Sequence, residues 1–405
     1  MKKLMYLEGL RGVAAIIVVL SHFVQFFYPR LLYSDDSLTH IYLESWISNT
    51  PLNLIYNGNF AVCIFFILSG YVLSLKFLKT KDPIVLYEMA SKRYFRLAIP
   101  VSVSIFISYI IVRVGGIFYS KIMSMTLVSI DKLFELNHNS FQVIKLALYD
   151  VFIKGDASYN PVLWTMKYEL FGSFMIFILL PLIAYRKYSY IKYVLYIFLV
   201  IFISKVAELY FVSFVLGMML CEMHISKTGF FKFNNKFLKM CYLIIGIYFG
   251  TFPYVDTKGS IYEVLQLSIL GGNAFVFYHI VGAFFLLMAF IQSELLQRFF
   301  SKTIFEFLGK ISFSIYLTHF IILFSFSSFL FEKLSHFGFS YNITFILMAV
   351  PSLLIMVIIA YFMYKYVDSY AVKISGKVYD RFFKKILISF RSLFTKKTTN
   401  DRKTF

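Results

Sequence analysis

Apolar positions along this chain gather into runs long enough to cross a bilayer, and the polar positions between them fall in short charged clusters. A membrane-spanning helix needs about 20 apolar residues at a rise of about 1.5 Å each. Runs of that kind place helices near residues 9–28, 57–79, 94–114, 161–185, 188–204, 206–222, 237–253, 271–292, 311–332 and 343–366. The pattern predicts an all-α polytopic membrane protein, a bundle of about ten transmembrane helices. The first run carries on into "HFVQFFYP", where a cleavable leader needs a short apolar core and a small-residue cleavage site, so it reads as a retained span. Residues 115–160 form the longest connection, and "FQVIKLALYDVFI" within it predicts a short interfacial or re-entrant helix.

Charge orients the bundle. With Lys2 and Lys3 on the cytoplasmic side, the even-numbered connections hold "KFLKTKD", "SKRYFR", "YRKYSYIK", "KTGFFKFNNKFLK" and "QRFFSKTIFEFLGK", whereas the first opposite connection holds Asp35, Asp36 and Glu44 against Arg30. Cations concentrate on the cytoplasmic side of membrane proteins, so both termini are expected there. The composition agrees: of 405 residues, 60% are hydrophobic and only 15% charged, outside the range of soluble domains. Residues 1–370 read as one membrane-embedded domain. Residues 371–405 read as a basic tail in which aromatic residues alternate with Lys and Arg, an interfacial amphipathic segment. Much of the net charge of +19 lies there, which fits anionic lipid and not nucleic acid. Cys63, Cys221 and Cys241 lie in apolar segments without metal or disulfide spacing.

Ionisable side chains inside spans cost about 2.5–3.5 kcal/mol each and mark function. His22, Glu169 and His319 stand at depth, and "LSGY" brings Ser69 and Tyr71 to a similar layer. Arg11 and His22 share one helix face, since the steps between them come to about 20° past three turns and rise about 16.5 Å. A guanidinium near the membrane surface can hold phosphate, and a deep imidazole can move a proton. The pantetheine arm of coenzyme A, equivalent to about five chain residues, extends about 17 Å. Arg93 and Arg96, with Lys92, form a second cationic group at the start of the third run. Trp164 stands where it can stack on a sugar or join an interfacial aromatic belt. Ser69 lacks the Gly-x-Ser-x-Gly turn of a hydrolase nucleophile. No metal is expected, because His224 and His279 are isolated and His40, His138 and His336 fall in connections without convergent ligands.

Five elements in order resemble the acyltransferase 3 family of bacterial membrane O-acyltransferases. They are "LEGLRGVAAIIVVLSHF", "FFILSGYVLS", "RYFRLAIP", "LWTMKYELFGSFMIF" and "LGKISFSIYLTHF". The resemblance implies His22 as the catalytic centre and Arg11 as the cation serving acyl-CoA, with Arg93 and Arg96 beside it. Glu169 is expected to orient the imidazole as a triad carboxylate does, or to bind sugar hydroxyls. Ser69, Tyr71, Trp164, Tyr316 and His319 are acceptor or oxyanion candidates. The implied donor is acetyl-CoA, without a metal. The implied acceptor is a hydroxyl of a carbohydrate, free or lipid-linked, in a cell-surface polysaccharide such as lipopolysaccharide O-antigen, capsule or exopolysaccharide. The implied site is the bacterial cytoplasmic (inner) membrane. Many relatives carry a fused esterase-like domain; this chain resembles the stand-alone branch, which implies a separate extracytoplasmic relay protein where a relay is needed. A transporter or flippase of a lipid-linked glycan, and an acyltransferase with a small-molecule acceptor, stand as alternatives, because buried His, Glu and Arg also build substrate paths.

Overall fold

The computed structural model describes residues 4–129, 139–232, 235–266 and 273–386, and every regular element among them is helical. The apolar helices are α1 (Met5–Phe27), α2 (Gly58–Thr80), α3 (Pro83–Arg113), α4 (Thr165–Ala184) and α5 (Ser189–Val206). They continue as α6 (Tyr210–Ser226), α7 (Lys236–Gly250), α8 (Ala274–Gln292), α9 (Thr303–Ile322) and α10 (Tyr341–Met363). Among the described residues, eight helices are long and apolar enough to cross a membrane. The two outside that set are α6, with 17 residues, and α7, with 15. They extend about 25 and 22 Å, short of the roughly 30 Å hydrocarbon layer.

The third helix begins well before its apolar run. Pro83 stands in its first turn and the Asp82 side chain accepts the Ile84 N–H, a start that preorganises the helix and caps it. Glu88, Lys92 and Arg93 keep this opening stretch out of any hydropathy window. The expected helix in the long connection is present from Ser140 to Ile153, opened by a reciprocal Asn139–Gln142 cap and carrying one π-helical turn, and it packs on α3. Lys2, Lys3, His138 and the tail beyond residue 386 lie outside the described residues.

Within a membrane the helices gain nothing from hydrophobic exclusion, so close approach at small residues holds them together. A Cβ on Gly12 would meet the Gly309 nitrogen at 2.6 Å, and one on Gly309 would meet the Glu8 carbonyl at 2.3 Å. Those two glycines let α1 and α9 cross backbone to backbone. Gly70 and Gly217 do the same for α2 and α6, with a Gly217 Cβ only 2.1 Å from the Ile67 carbonyl. In consequence α1, α2 and α9 meet at the centre of the bundle, with α3 and α4 beside them. Beyond α10 the chain stays helical through Tyr364–Asp368, Ser369–Val378 and Tyr379–Phe383. This extension lies along the opening turns of α3, with the Lys92 ammonium 4.7 Å from the Tyr379 ring centre and the Tyr87 hydroxyl donating to the Phe383 carbonyl at 3.3 Å.

Candidate functional site

The polar groups that the bundle gathers fall into two neighbouring clusters. The first lines a cavity of about 500 Å³, where Arg11 of α1, Arg93 and Arg96 of α3, Lys310 of α9 and Lys373 of the C-terminal extension face Glu8, Glu169 and Asp368. Five cations against three carboxylates leave the lining positive, which favours an anionic ligand. Arg11 pairs with Glu8 at 3.2 Å and Lys310 with Glu306 at 2.7 Å. Among the described residues neither Arg96 nor Lys373 forms an ion pair. Along α9 the lining passes from Lys310 to Tyr316, a rise of about 9 Å, and becomes apolar at Val62, Phe65 and Phe313.

Glu169 sits on the wall between these regions. It accepts a hydrogen bond from the Ser69 hydroxyl at 2.8 Å and pairs with the Arg93 guanidinium. Arg93 Nε donates to the Ser173 hydroxyl at 2.7 Å, and that hydroxyl donates to the Glu169 carbonyl at 2.5 Å. Glu169 and Ser173 are four residues apart on α4, so one helix face supplies both partners of Arg93. Tyr316 closes the apolar end: its hydroxyl donates to the Val162 carbonyl at 2.5 Å and lies 2.7 Å from the Thr165 hydroxyl.

Behind Tyr316 lies the second cluster, with the His319 ring centre 6.1 Å from that of Tyr316. His319 Nε2 is 3.1 Å from His22 Nδ1, across the α1–α9 seam. His22 Nδ1 is also 2.9 Å from the Val18 carbonyl, and His319 Nδ1 is 2.9 Å from the Ile315 carbonyl. The Phe320 ring meets His22 edge-on with centres 5.3 Å apart.

Residues 4–365 match a family profile described as an acyltransferase domain. The chain belongs to the acyltransferase 3 family. It is similar to an acyltransferase from a Phoma species, 23% identical over 402 residues covering 81% of this chain and 84% of that protein. A second acyltransferase, from Cochliobolus lunatus, is 23% identical over 396 residues with the same coverage of each chain, 81% and 84%. No solved structure matches. The family and the apolar helices together make the chain a multi-pass membrane acyltransferase.

The family elements do not converge on a single point in this acyltransferase. Arg11, Arg93, Arg96, Ser69, Glu169 and Tyr316 share the cavity, whereas His22 and His319 stand behind its apolar wall. The expected pairing of Glu169 with the His22 imidazole is replaced: the carboxylate is taken by Ser69 and Arg93, and the group facing His22 is His319. Because α3 begins at Pro83, Arg93 stands about 15 Å into the helix instead of at its mouth, and there it pairs with Glu169. Tyr71 is buried outside the cavity, 2.6 Å from His224 Nδ1, and Trp164 packs on Tyr168 and Tyr210. His279, isolated in the sequence, is fully buried and held by Asn57, Asn59 and the Phe252 carbonyl. Lys310 and Lys373 were missed because each looked like an ordinary basic flank. The same stretch of α9 that holds His319 also holds Lys310, and that proximity was the available signal. Among the described residues no group of three His, Cys, Asp or Glu side chains is placed to hold a metal ion.

Proposed function

We propose that this chain moves an acyl group, in the simplest case acetyl, from cytoplasmic acyl-CoA to a hydroxyl of a cell-surface polysaccharide in a bacterial inner membrane. The observation that carries the reading is the cavity itself, cationic at one end and apolar at the other, with His319 packed behind Tyr316 and the His22 imidazole against His319. Arg11 and Arg96, with Lys310 and Lys373, meet the phosphates of coenzyme A at the mouth. The uncharged pantetheine arm runs along α9 towards Tyr316, and the wall of Tyr316 and Phe65 gives way to admit the thioester to His22. Arg93 serves the donor indirectly, by neutralising Glu169 at the cavity wall.

In the transfer step the acceptor oxygen attacks the thioester carbonyl as His22 takes the hydroxyl proton. The tetrahedral intermediate then collapses, the C–S bond breaks, and the imidazolium returns the proton to the departing thiolate. General-base help of this kind is worth about 10²–10⁴-fold in rate. Tyr316 and Ser69 are the hydroxyls nearest the path, and to serve the oxyanion each must turn its one hydrogen away from its resting acceptor, the Val162 carbonyl and the Glu169 carboxylate.

The test is acyl transfer from labelled acetyl-CoA in membranes carrying the wild type, His22→Ala or His336→Ala, the last being an exposed histidine far along the chain. Labelled glycan that is lost in His22→Ala and kept in His336→Ala supports the reading. Label in a small extractable product moves the acceptor to a small molecule, and label that persists in His22→Ala removes the imidazole from the chemistry.

A further inference from the structure

The hydrogen positions in the His22–His319 pair follow from their partners. A backbone carbonyl oxygen only accepts, so the ring nitrogen beside it must carry the hydrogen. His22 Nδ1, 2.9 Å from the Val18 carbonyl, is therefore N–H, and so is His319 Nδ1, 2.9 Å from the Ile315 carbonyl. In a neutral imidazole the other nitrogen is then a bare lone pair. His319 Nε2 thus faces the His22 Nδ1–H at 3.1 Å as an acceptor, and that hydrogen is shared between the Val18 carbonyl and His319. The remaining lone pair, on His22 Nε2, is the one able to take a proton.

We infer that His319 is a positioning residue that, together with the Val18 carbonyl, fixes the His22 ring in the orientation and tautomer with a bare Nε2, reaching it from across the α1–α9 seam. The inference rests on the reading of His22 as the group that receives the acceptor's proton. Val18 lies four residues earlier on the same helix, so its carbonyl fixes the ring only against α1. His319 adds the anchor from a second helix, and the Phe320 edge closes the ring's remaining freedom. When Nε2 takes the hydroxyl proton, the Nδ1–H now belongs to an imidazolium and its bond to His319 becomes charge-assisted, shorter and stronger. His319 neither gains nor loses a proton in this sequence. The proton on His22 Nε2 leaves with the thiolate, and the pair returns to its starting state. The ring's orientation across the seam is thus set by a neutral lone pair in the place where many hydrolytic sites use a carboxylate.

Two variants and one spectrum test this. His319→Leu fills the space without a lone pair, and His319→Gln carries an amide oxygen to roughly the place of Nε2. Expected for His319→Leu is a fall of about 10²-fold in kcat, the cost of misplacing a catalytic group by about 1 Å, with the acyl-CoA KM unchanged because the cationic mouth is untouched. His319→Gln should recover at least about tenfold of that loss. In wild-type protein labelled with 15N-histidine, one imidazole Nδ1–H should show a coupling across its hydrogen bond to the Nε2 of a second histidine at neutral pH, a measurement that needs no variant, and the resonances lost in His22→Ala assign the donor. Wild-type kcat in His319→Leu, no recovery in His319→Gln, or an Nε2–H form for His22 would each overturn the pairing. Activity surviving in His22→Ala would instead overturn the catalytic reading of His22, and the nitrogen–nitrogen coupling in the wild type, present or absent, would still decide the contact with His319.

Discussion

The α1–α9 seam makes a quantitative prediction, because its closeness is set at Gly12 and read out at His22. A Cβ added at Gly12 would sit 2.6 Å from the Gly309 nitrogen and 2.7 Å from the Leu308 carbonyl carbon, both backbone atoms that no rotamer change can move. Ordinary contact begins at 3.4 Å, so Gly12→Ala forces the helices apart by about 0.8 Å. Carried along the seam, that shift takes the His22–His319 separation from 3.1 Å to about 3.9 Å, past the limit of a hydrogen bond. Overpacking itself costs about 1–3 kcal/mol of stability. The larger effect is on rate, with kcat falling about 10²-fold at a nearly unchanged acyl-CoA KM. The control is Gly217→Ala at the α2–α6 seam, where the Cβ would lie 2.1 Å from the Ile67 carbonyl, more crowded than at Gly12 but away from His22 and His319. It should lower the melting temperature at least as much and kcat far less. In a His319→Leu background Gly12→Ala should add little to the loss of kcat, because both remove the same contact. Steady-state kinetics and thermal unfolding on the same detergent preparations decide the matter. A folded Gly12→Ala enzyme with wild-type kcat, or a Gly217→Ala enzyme that loses kcat to the same extent, refutes the claim that this seam sets the imidazole geometry.

Two further outcomes follow from charged groups elsewhere. Arg11→Ala and Arg96→Ala should each raise the acyl-CoA KM about tenfold, the cost of about 1.4 kcal/mol expected for one phosphate contact, and leave the melting temperature close to wild type; an unchanged donor KM in both removes the phosphate role of the cavity mouth. In the connection between α1 and α2, His40 stacks on Tyr341 with ring centres 3.9 Å apart, and burial lowers its pKa below the usual 6.5. A histidine depressed in this way contributes stability that is complete above pH 6.5 and is lost as the pH falls towards its folded value. The wild-type melting temperature should therefore drop on acidification below that point, and His40→Phe, which keeps the stacked ring and removes the titration, should drop less. Parallel curves for the two proteins would show that His40 does not titrate against the fold.

The spans and the anomaly of His22 were legible in the sequence because both are local properties: a run of apolar residues, and an ionisable residue inside one. What joins to what was not. His22 meets a residue 297 positions away, and nothing in either helix pattern sets which face of α1 meets which face of α9. Glu169 looked like the partner of the imidazole because a carboxylate beside a histidine is the commoner arrangement. The rival, Arg93, appeared to lie at a membrane surface only because the charged opening turns of α3 hid the true start of that helix. Lys373 reached the cavity by the same kind of concealment, since a basic stretch after the last apolar run reads as a lipid anchor whether or not it folds back along α3.

The separation of the two clusters has an electrostatic logic that bears on why His22 faces a histidine and not Glu169. An isolated carboxylate in the hydrocarbon layer is costly unless paired, and Glu169 has its pair in Arg93. A second carboxylate beside His22 would need its own counter-charge, and the imidazole supplies one only while it holds the proton in transit. A neutral His319 removes that difficulty: it presents a lone pair to the Nδ1–H at all times and adds no net charge to the resting bundle. The fixed charges of the site then stay in the cavity, where five cations and three carboxylates leave the positive excess that the proposed donor's phosphates would meet. On the proposed mechanism the only charges formed beyond Tyr316 are the transient imidazolium and the oxyanion that accompanies it. These two form together and vanish together, so each stabilises the other during the step and neither has to be held by the bundle at rest. On that mechanism a carboxylate at residue 319 would break the balance in the ground state, and a pair of imidazoles at this crossing keeps it.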